Sequence, residues 1–111
     1  MNHVLDLNPL PFKAIKEGYK NIEMRLNDER RKNIAIGDTI TFINNETNEK
    51  MTCEVTNIYH YSSFVELYKH HPKNTIGYKE NEEADPNDML QYYTQEKIDK
   101  YGVLGIEIKI I

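Results

Sequence analysis

The sequence predicts one α+β domain over residues 1–111, in which a mostly antiparallel β-sheet curls into a small barrel with short flanking helices. The chain has 111 residues, the size of a single domain with one main core. About five segments show strand-like patterning, and the helical segments between them are short. The sequence lacks the repeated strand–helix–strand units of a doubly wound parallel sheet, and it lacks a Gly-rich phosphate loop.

In the N-terminal part, two alternating segments enclose a short helix. His3–Asn8 alternates as a first strand. Pro11 suits the first position of a helix and Gly18 the residue just after its end, which predicts a helix over 11–17. Tyr19–Leu26 then alternates as a second strand, with apolar residues on one face and polar residues on the other.

The middle of the chain predicts a hairpin followed by a capped helix. Thr39–Ile43 and Met51–Tyr59 are rich in apolar and β-branched residues and are joined by a polar turn. Ser63 and Glu66 match a capping box, in which each residue satisfies a backbone N–H of the other. We therefore predict a helix over 63–70.

The C-terminal part begins with a polar segment, 73–85, that we predict to be a loop. Asp85, its last residue, and the following Pro86 can begin a short helix. Thr94 can cap a further helix that Gly102 closes, and the β-branched segment Val103–Ile111 reads as the last strand. The whole segment 73–93 is a candidate lid if it is mobile, and a connection if it is packed.

Charge is distributed unevenly along the chain. The formal net charge is −4, from 14 basic and 18 acidic residues, which argues against strong binding of duplex DNA through a uniformly basic surface. Residues 13–32 hold seven basic and four acidic groups, a net charge of +3. Residues 80–99 hold seven acidic groups and one lysine, a net charge of −6. A local cationic cleft is therefore compatible with an acidic chain.

Composition excludes several classes of protein. No apolar run approaches the roughly 20 residues of a membrane-spanning helix, so we expect no membrane partner. The N-terminus lacks the pattern of a secretory signal, which favours a cytoplasmic location. The single cysteine, Cys53, excludes an internal disulfide framework and is expected to be a small buried hydrophobe. The histidine spacing does not suit a metal motif, so we expect no metal and no cofactor. We expect a monomer or a weak dimer.

The most informative motif is Gly18-Tyr-Lys20-Asn-Ile-Glu23-Met-Arg25. On a strand, Glu23 and Arg25 share one face, while Ile22, Met24 and Leu26 occupy the other. Two cations and one carboxylate on a rigid element suit the binding of a polar or anionic ligand. The alternative interpretation is a solvated strand face with a surface ion pair of small energetic value.

The order of these features resembles the ASCH domain family, a branch of the PUA-like β-barrel superfamily. The matching stretches are Leu5-Asp-Leu7 with Pro11-Phe12, Gly18-x-Lys20-x-x-Glu23-x-Arg25, Gly37-Asp38-x-Ile40-x-Phe42, Tyr61-x-Ser63-Phe64 and Tyr101-Gly102-Val103. The resemblance implies a six-strand-like barrel with a cleft lined by the second of these stretches. It also implies binding of RNA or nucleotides.

Some small members of the family are amidohydrolases that deacylate N4-acetylcytidine, using a lysine, a threonine and a distal glutamate. Lys20 matches the lysine and Arg25 the family's arginine, whereas Glu23 occupies the threonine position. The region 80–88 is the place we expect for the distal acid.

Tyrosine is abundant, with eight residues in the chain, and aromatic side chains near a cationic groove can stack on bases. Tyr92 and Tyr93 are adjacent, so in an extended segment at most one of them faces a ligand. We single out Tyr93 for that role, because the segment around it resembles the region of the family that faces the cleft.

Three functional hypotheses follow. The first is a protein that binds RNA or a modified nucleoside, with Arg25 and Tyr93 as ligand-binding residues beside Lys20 and Glu23. The second is an amidohydrolase acting on N4-acetylcytidine-like nucleosides, with Lys20 and Glu23 as catalytic residues: the carboxylate would activate water and the amine would relay a proton. The third is an interaction domain whose acidic segment 80–99 meets a basic partner.

Overall fold

Five β-strands form a single curled sheet in the computed structural model, which describes residues 1–111. The strands are β1 (Asn2–Leu7), β2 (Ile22–Leu26), β3 (Thr39–Asn44), β4 (Lys50–Tyr61) and β5 (Val103–Ile110). Their order is β1-β3-β4-β5-β2, and every neighbouring pair is antiparallel except β1 with β3. The predicted α+β fold is confirmed. The barrel is open on one side, with five strands rather than the six that the resemblance implies.

Three α-helices and two 3-10 helices connect the strands. They are α1 (Pro9–Glu17), α2 (Phe64–His70), α3 (Gln95–Tyr101), a first 3-10 helix (Lys73–Ile76) and a second 3-10 helix (Pro86–Gln91). The second 3-10 helix and α3 stand where short helices were predicted. None of the helices has the length and apolarity needed to cross a membrane.

Several predicted boundaries differ from the structure by one to three residues. The first helix begins at Pro9 rather than at Pro11, because Pro9 takes the first helical position after Asn8. Two further differences also have identifiable reasons. The second strand begins at Ile22 rather than at Tyr19, because the chain is still bound to α1 there: the amide of Lys20 donates to the carbonyl of Ala14 at 3.2 Å. The predicted loop 73–85 begins with a 3-10 helix. The Lys73 ammonium donates to two carbonyls of the following turn, which holds this polar segment in place.

The sheet separates two hydrophobic clusters. The larger cluster joins strands β1, β3, β4 and β5 to α1, and it contains Leu5, Leu7, Phe12, Ile15, Ile34, Ile40, Phe42, Met51, Cys53, Val55, Leu104, Ile106 and Ile108. The smaller cluster joins β2 to α2, α3 and both 3-10 helices, and it contains Ile22, Met24, Leu26, Phe64, Leu67, Ile76, Met89, Ile98 and Val103. Both faces of β2 are therefore buried.

The two faces of β2 have different surroundings. Its apolar residues enter the smaller cluster, as the alternation predicted. Glu23 and Arg25 are registered opposite Ile106 and Leu104 of β5, and directly opposed residues share a face of a sheet. The polar face of β2 thus points toward the larger cluster and is not the solvated surface of the alternative interpretation.

The capping residue of α2 provides a test of this local structure. The Ser63 hydroxyl accepts from the amide of Glu66 at 3.2 Å, so Ser63→Ala leaves that amide unsatisfied. We expect the free energy of unfolding to fall by about 1 kcal/mol. Ser62→Ala is the matched control, because Ser62 is exposed and outside the cap. Equal stabilities of the two variants in urea denaturation would contradict the cap.

Candidate ligand-binding cleft

A buried ion triad lies at the centre of the candidate site. The Glu23 carboxylate accepts from Arg25 Nε at 2.8 Å through Oε2. It also forms ion pairs with Arg25 Nη2, 2.7 Å from Oε2, and with Lys20 Nζ, 3.1 Å from Oε1. The exposed fraction is 5% for Lys20, 4% for Glu23 and 9% for Arg25, so all three residues are buried. The structure thus brings together all three residues of the sequence motif.

The triad keeps Glu23 ionised. Burial by itself would raise the pKa of this carboxyl group, but the charges and hydrogen bonds of Lys20 and Arg25 outweigh it and hold the pKa below the ordinary value of 4.5. Burial likewise opposes the charged form of Arg25, and the neighbouring Glu23 reverses this and raises the pKa of the guanidinium. The carboxylate has both oxygens occupied and serves as an anchor for two cations.

The two cations connect the triad to separate parts of the fold. Arg25 Nη2 donates to the backbone carbonyl of Asp6 on β1 at 2.8 Å. Lys20 Nζ lies 3.4 Å from the backbone carbonyl of Ile76, at the end of the first 3-10 helix. Because β1 and β2 are the two outer strands of the sheet, the Arg25 side chain bridges the open side of the half-barrel.

The triad leaves unused hydrogen-bond donors. An ammonium has three N–H groups and a guanidinium five. Lys20 has two acceptors, and Arg25 Nη1 has none in the protein. Two cations against one carboxylate also leave a surplus of one positive charge. The site can therefore accept a hydrogen-bond acceptor or a single negative charge from a ligand.

All four predicted site residues line one cleft of about 660 Å³. Lys20, Glu23 and Arg25 lie on it with parts of β1 and α1, and the segment 76–93 supplies the remaining side together with Tyr68. Ile76 and Met89 of that segment are buried in the smaller cluster, so the segment is a packed part of the cleft.

Tyr93 is held by packing rather than by a hydrogen bond. Its ring stacks on Phe64 at a centroid distance of 6.0 Å and an interplanar angle of 16°. Burial raises the pKa of its phenol, with Arg25 acting in the opposite direction. Tyr92 lines the cleft as well, although in an extended segment at most one of the two tyrosines would face a ligand. Tyr92 closes a 3-10 helix with helical dihedral angles, and the opposite orientation of neighbours holds only for extended chain.

A hydrogen-bonded chain of side chains in the cleft was not predicted. The hydroxyl groups of Tyr68 and Tyr78 are 2.9 Å apart, and Tyr78 donates to Asp88 Oδ2 at 2.7 Å. Burial, together with hydrogen bonds to Tyr68 and Asp88, raises the pKa of Tyr78. Asp88 and Glu82 place acidic groups from the region 80–88 on the cleft, and the sequence offers no pattern that distinguishes them from their neighbours.

The remaining reactive side chains lie elsewhere. Cys53 is fully buried in the larger cluster, and burial raises the pKa of its thiol to about 11. This side chain fills the core as predicted. The structure contains no group of three or more His, Cys, Asp or Glu residues that could hold a metal ion.

Replacing Glu23 tests the triad through the pH dependence of stability. Glu23→Gln leaves Lys20 and Arg25 buried without an anion, and we expect a loss of about 3–5 kcal/mol in the free energy of unfolding at neutral pH. The pKa of Glu23 is lowered on folding, so its contribution is complete above pH 4.5 and disappears as the pH falls through the folded-state pKa. The difference between wild type and variant should therefore shrink in acid.

The measurement is urea denaturation over a pH series. Glu29→Gln is the control, since Glu29 pairs with Lys32 on the surface and such pairs contribute up to about 1 kcal/mol. A difference between wild type and Glu23→Gln that does not change with pH would contradict the assignment.

Gly77 provides a test of how tightly Lys20 is held. A Cβ at Gly77 would lie 3.2 Å from Lys20 Cδ, whereas a Cβ at Gly37 would contact nothing within 4 Å. Both glycines have positive φ, +112° and +94°, so an alanine is strained in either place. We expect Gly77→Ala to be less stable than Gly37→Ala by roughly 1 kcal/mol or more in urea denaturation. Equal losses would show that Lys20 has room to move.

Comparison with known proteins agrees with this architecture. The family model for the ASCH domain matches residues 5–111. The crystal structure of hypothetical protein PH0355 has a TM-score of 0.81 and 34% sequence identity, over 100% of both chains. The solution NMR structure of a protein from Pyrococcus furiosus has a TM-score of 0.73 and 30% identity, over 100% of this chain and 98% of that one.

A more distant structure shows the same fold. The crystal structure of ASCH from Zymomonas mobilis has a TM-score of 0.70 and 15% identity, over 97% of this chain and 66% of that one. No curated protein matches the chain. The match of the family model over nearly the whole chain, together with the full-length relatives of 34% and 30% identity, shows that this protein belongs to the ASCH domain family.

Proposed function

We propose that this protein binds RNA or a modified nucleoside in the cleft around Lys20, Glu23 and Arg25. The observation that carries the proposal is the buried triad with its surplus positive charge and its unused donors. A phosphate oxygen or a base carbonyl is an acceptor that such donors bind well when they are shielded from water.

The tyrosines beside the triad support a nucleobase as part of the ligand. Tyr92 and Tyr93 line the same cleft as Arg25, and base stacking on aromatic side chains contributes roughly 1–3 kcal/mol per base. The acidic groups Glu82 and Asp88 lie on the same cleft. They oppose a long polyanion, so a nucleoside or a short single strand fits better than a duplex.

Hydrolysis of an acylated base is a second candidate, favoured by one observation. The Lys20 ammonium and the Glu23 carboxylate lie 3.1 Å apart in the same cleft. In this reaction Glu23 would take a proton from the water that attacks the amide carbonyl. Lys20 would donate a proton to the leaving amine and regain one from Glu23, and so would relay the proton. The lowered pKa of Glu23 and its occupied oxygens favour binding over this reaction.

Calorimetric titration with a short single-stranded RNA, cytidine and N4-acetylcytidine tests the proposal. Lys20→Gln removes a charged donor, and we expect an affinity loss of about 10- to 100-fold. Lys16→Gln is the matched control: Lys16 pairs with Glu49 outside the cleft, so its removal should leave affinity unchanged. Binding by wild type that neither substitution affects would contradict the proposal.

Tyr93→Ala and Tyr101→Ala extend this test to stacking. Both side chains are partly buried against the smaller cluster, but only Tyr93 lines the cleft. Affinity should fall in Tyr93→Ala alone. A steep salt dependence identifies a polynucleotide ligand, and a shallow one identifies a nucleoside. Chromatography of the N4-acetylcytidine sample shows whether acetate and cytidine are released, which decides between binding and hydrolysis.

A further inference from the structure

One edge of β2 has no neighbouring strand. The hydrogen bonds at the two ends of β2 show which of its residues point toward that free edge. β2 is an outer strand, with β5 as its only neighbour. The amide of Ile108 donates to the carbonyl of Asn21 at 2.8 Å, and the amide of Asn27 donates to the carbonyl of Gly102 at 3.0 Å. Hydrogen-bonded pairs alternate along an antiparallel ladder. The odd-numbered residues of β2 therefore bond to β5, and the even-numbered residues turn their N–H and C=O groups away from it.

Met24 is the even-numbered residue that lies on the cleft. It stands between Glu23 and Arg25, and all three residues line the cleft. Its side chain is buried in the smaller cluster, on the other face of β2. Its N–H and C=O have no hydrogen-bond partner outside the ladder. A backbone donor and acceptor in so buried a place normally have a partner.

We propose that the backbone N–H and C=O of Met24 bind the Watson–Crick edge of an unpaired nucleobase. The inference rests on the proposed function and specifies how the cleft reads its ligand. The two groups of one edge residue lie side by side and offer one donor and one acceptor, as strand edges do to added partners. Every base carries an adjacent donor and acceptor on its Watson–Crick edge, and recognition of single-stranded RNA uses that edge. A base within a duplex has this edge occupied.

The first measurement is amide hydrogen exchange of the ¹⁵N-labelled protein. In the free protein the Met24 amide should exchange at least about tenfold faster than the amides of Glu23 and Arg25, which bond to β5. Cytidine, uridine, adenosine and guanosine are then added separately. The probe that binds should slow the exchange of Met24 and shift its amide resonance, with little change at Glu23.

The ligand provides a matched pair for the second measurement. Methylation at N3 of uridine blocks the Watson–Crick edge without adding charge, whereas methylation at C5 leaves the edge intact. We expect 3-methyluridine to bind at least about tenfold more weakly than 5-methyluridine, the loss for one missing hydrogen bond to a buried group. If the cleft prefers another base, two short RNAs made of that base serve as the control for general affinity. One contains a single 3-methyluridine and the other a single 5-methyluridine.

A backbone variant tests Met24 directly. The single cysteine, Cys53, allows residues 1–52 to be synthesised with an ester in place of the Met24 amide and ligated to residues 53–111. This ester removes the Met24 N–H and weakens the Glu23 carbonyl as an acceptor in the β5 ladder, so it should lower stability slightly and bind the RNA about tenfold more weakly. An ester at Leu26 is the matched control, because it removes the N–H of the next even-numbered residue and weakens one ladder carbonyl in the same way, but Leu26 does not line the cleft and the affinity should be unchanged.

The outcomes separate the two proposals. Shifts at Lys20, Arg25 and Tyr93 on addition of nucleoside or RNA, without any change at Met24, would overturn this inference and leave the proposed function intact. Equal amide protection of Met24 and Glu23 in the free protein would also overturn it. If no probe shifts any resonance of the cleft, the proposed function fails and this inference fails with it.

Discussion

The pairing of the buried Glu23 carboxylate with Lys20 and Arg25 is the interaction on which the rest of the structure depends. The sheet leaves an open side between β1 and β2, and the side chain that spans it is Arg25, with its donor on Asp6. A guanidinium and an ammonium are tolerated at such low exposure only when an anion is paired with them. Glu23 supplies that anion to both. The closure of the half-barrel and the polarity of its cleft therefore have one cause.

Much of this arrangement follows from the alternation of residues along β2, and part of it does not. The spacing placed Glu23 and Arg25 on one face and the apolar residues on the other, as the structure shows. It did not determine whether the polar face meets solvent. That depends on β1 and on the segment 76–93, which are distant in sequence and approach only in the folded chain. Local patterns carry information about a strand's faces and none about what covers them.

The tyrosines show the same limit. Tyr93 can be singled out through the family resemblance, but the orientation of Tyr92 depends on a helical turn, to which the alternation of an extended chain does not apply. The contact between Tyr68 and Tyr78 joins a helix to a loop, and Asp88 completes the chain from a second 3-10 helix. No periodicity relates these three positions, because they meet through tertiary packing alone.

Glu23 also determines how much charge the triad presents to the cleft. The resemblance to the family places a threonine at this position, and a neutral residue there would leave two buried cations uncompensated. With Glu23 ionised, the surplus is a single positive charge. In the proposed function, one phosphate or one polarised carbonyl would then satisfy the triad, while additional phosphates would meet Glu82 and Asp88 and be repelled. The carboxylate that stabilises the fold would thus, in the proposed function, restrict the ligand to one anionic or carbonyl group at this point and leave the remaining recognition to neutral base edges and aromatic faces.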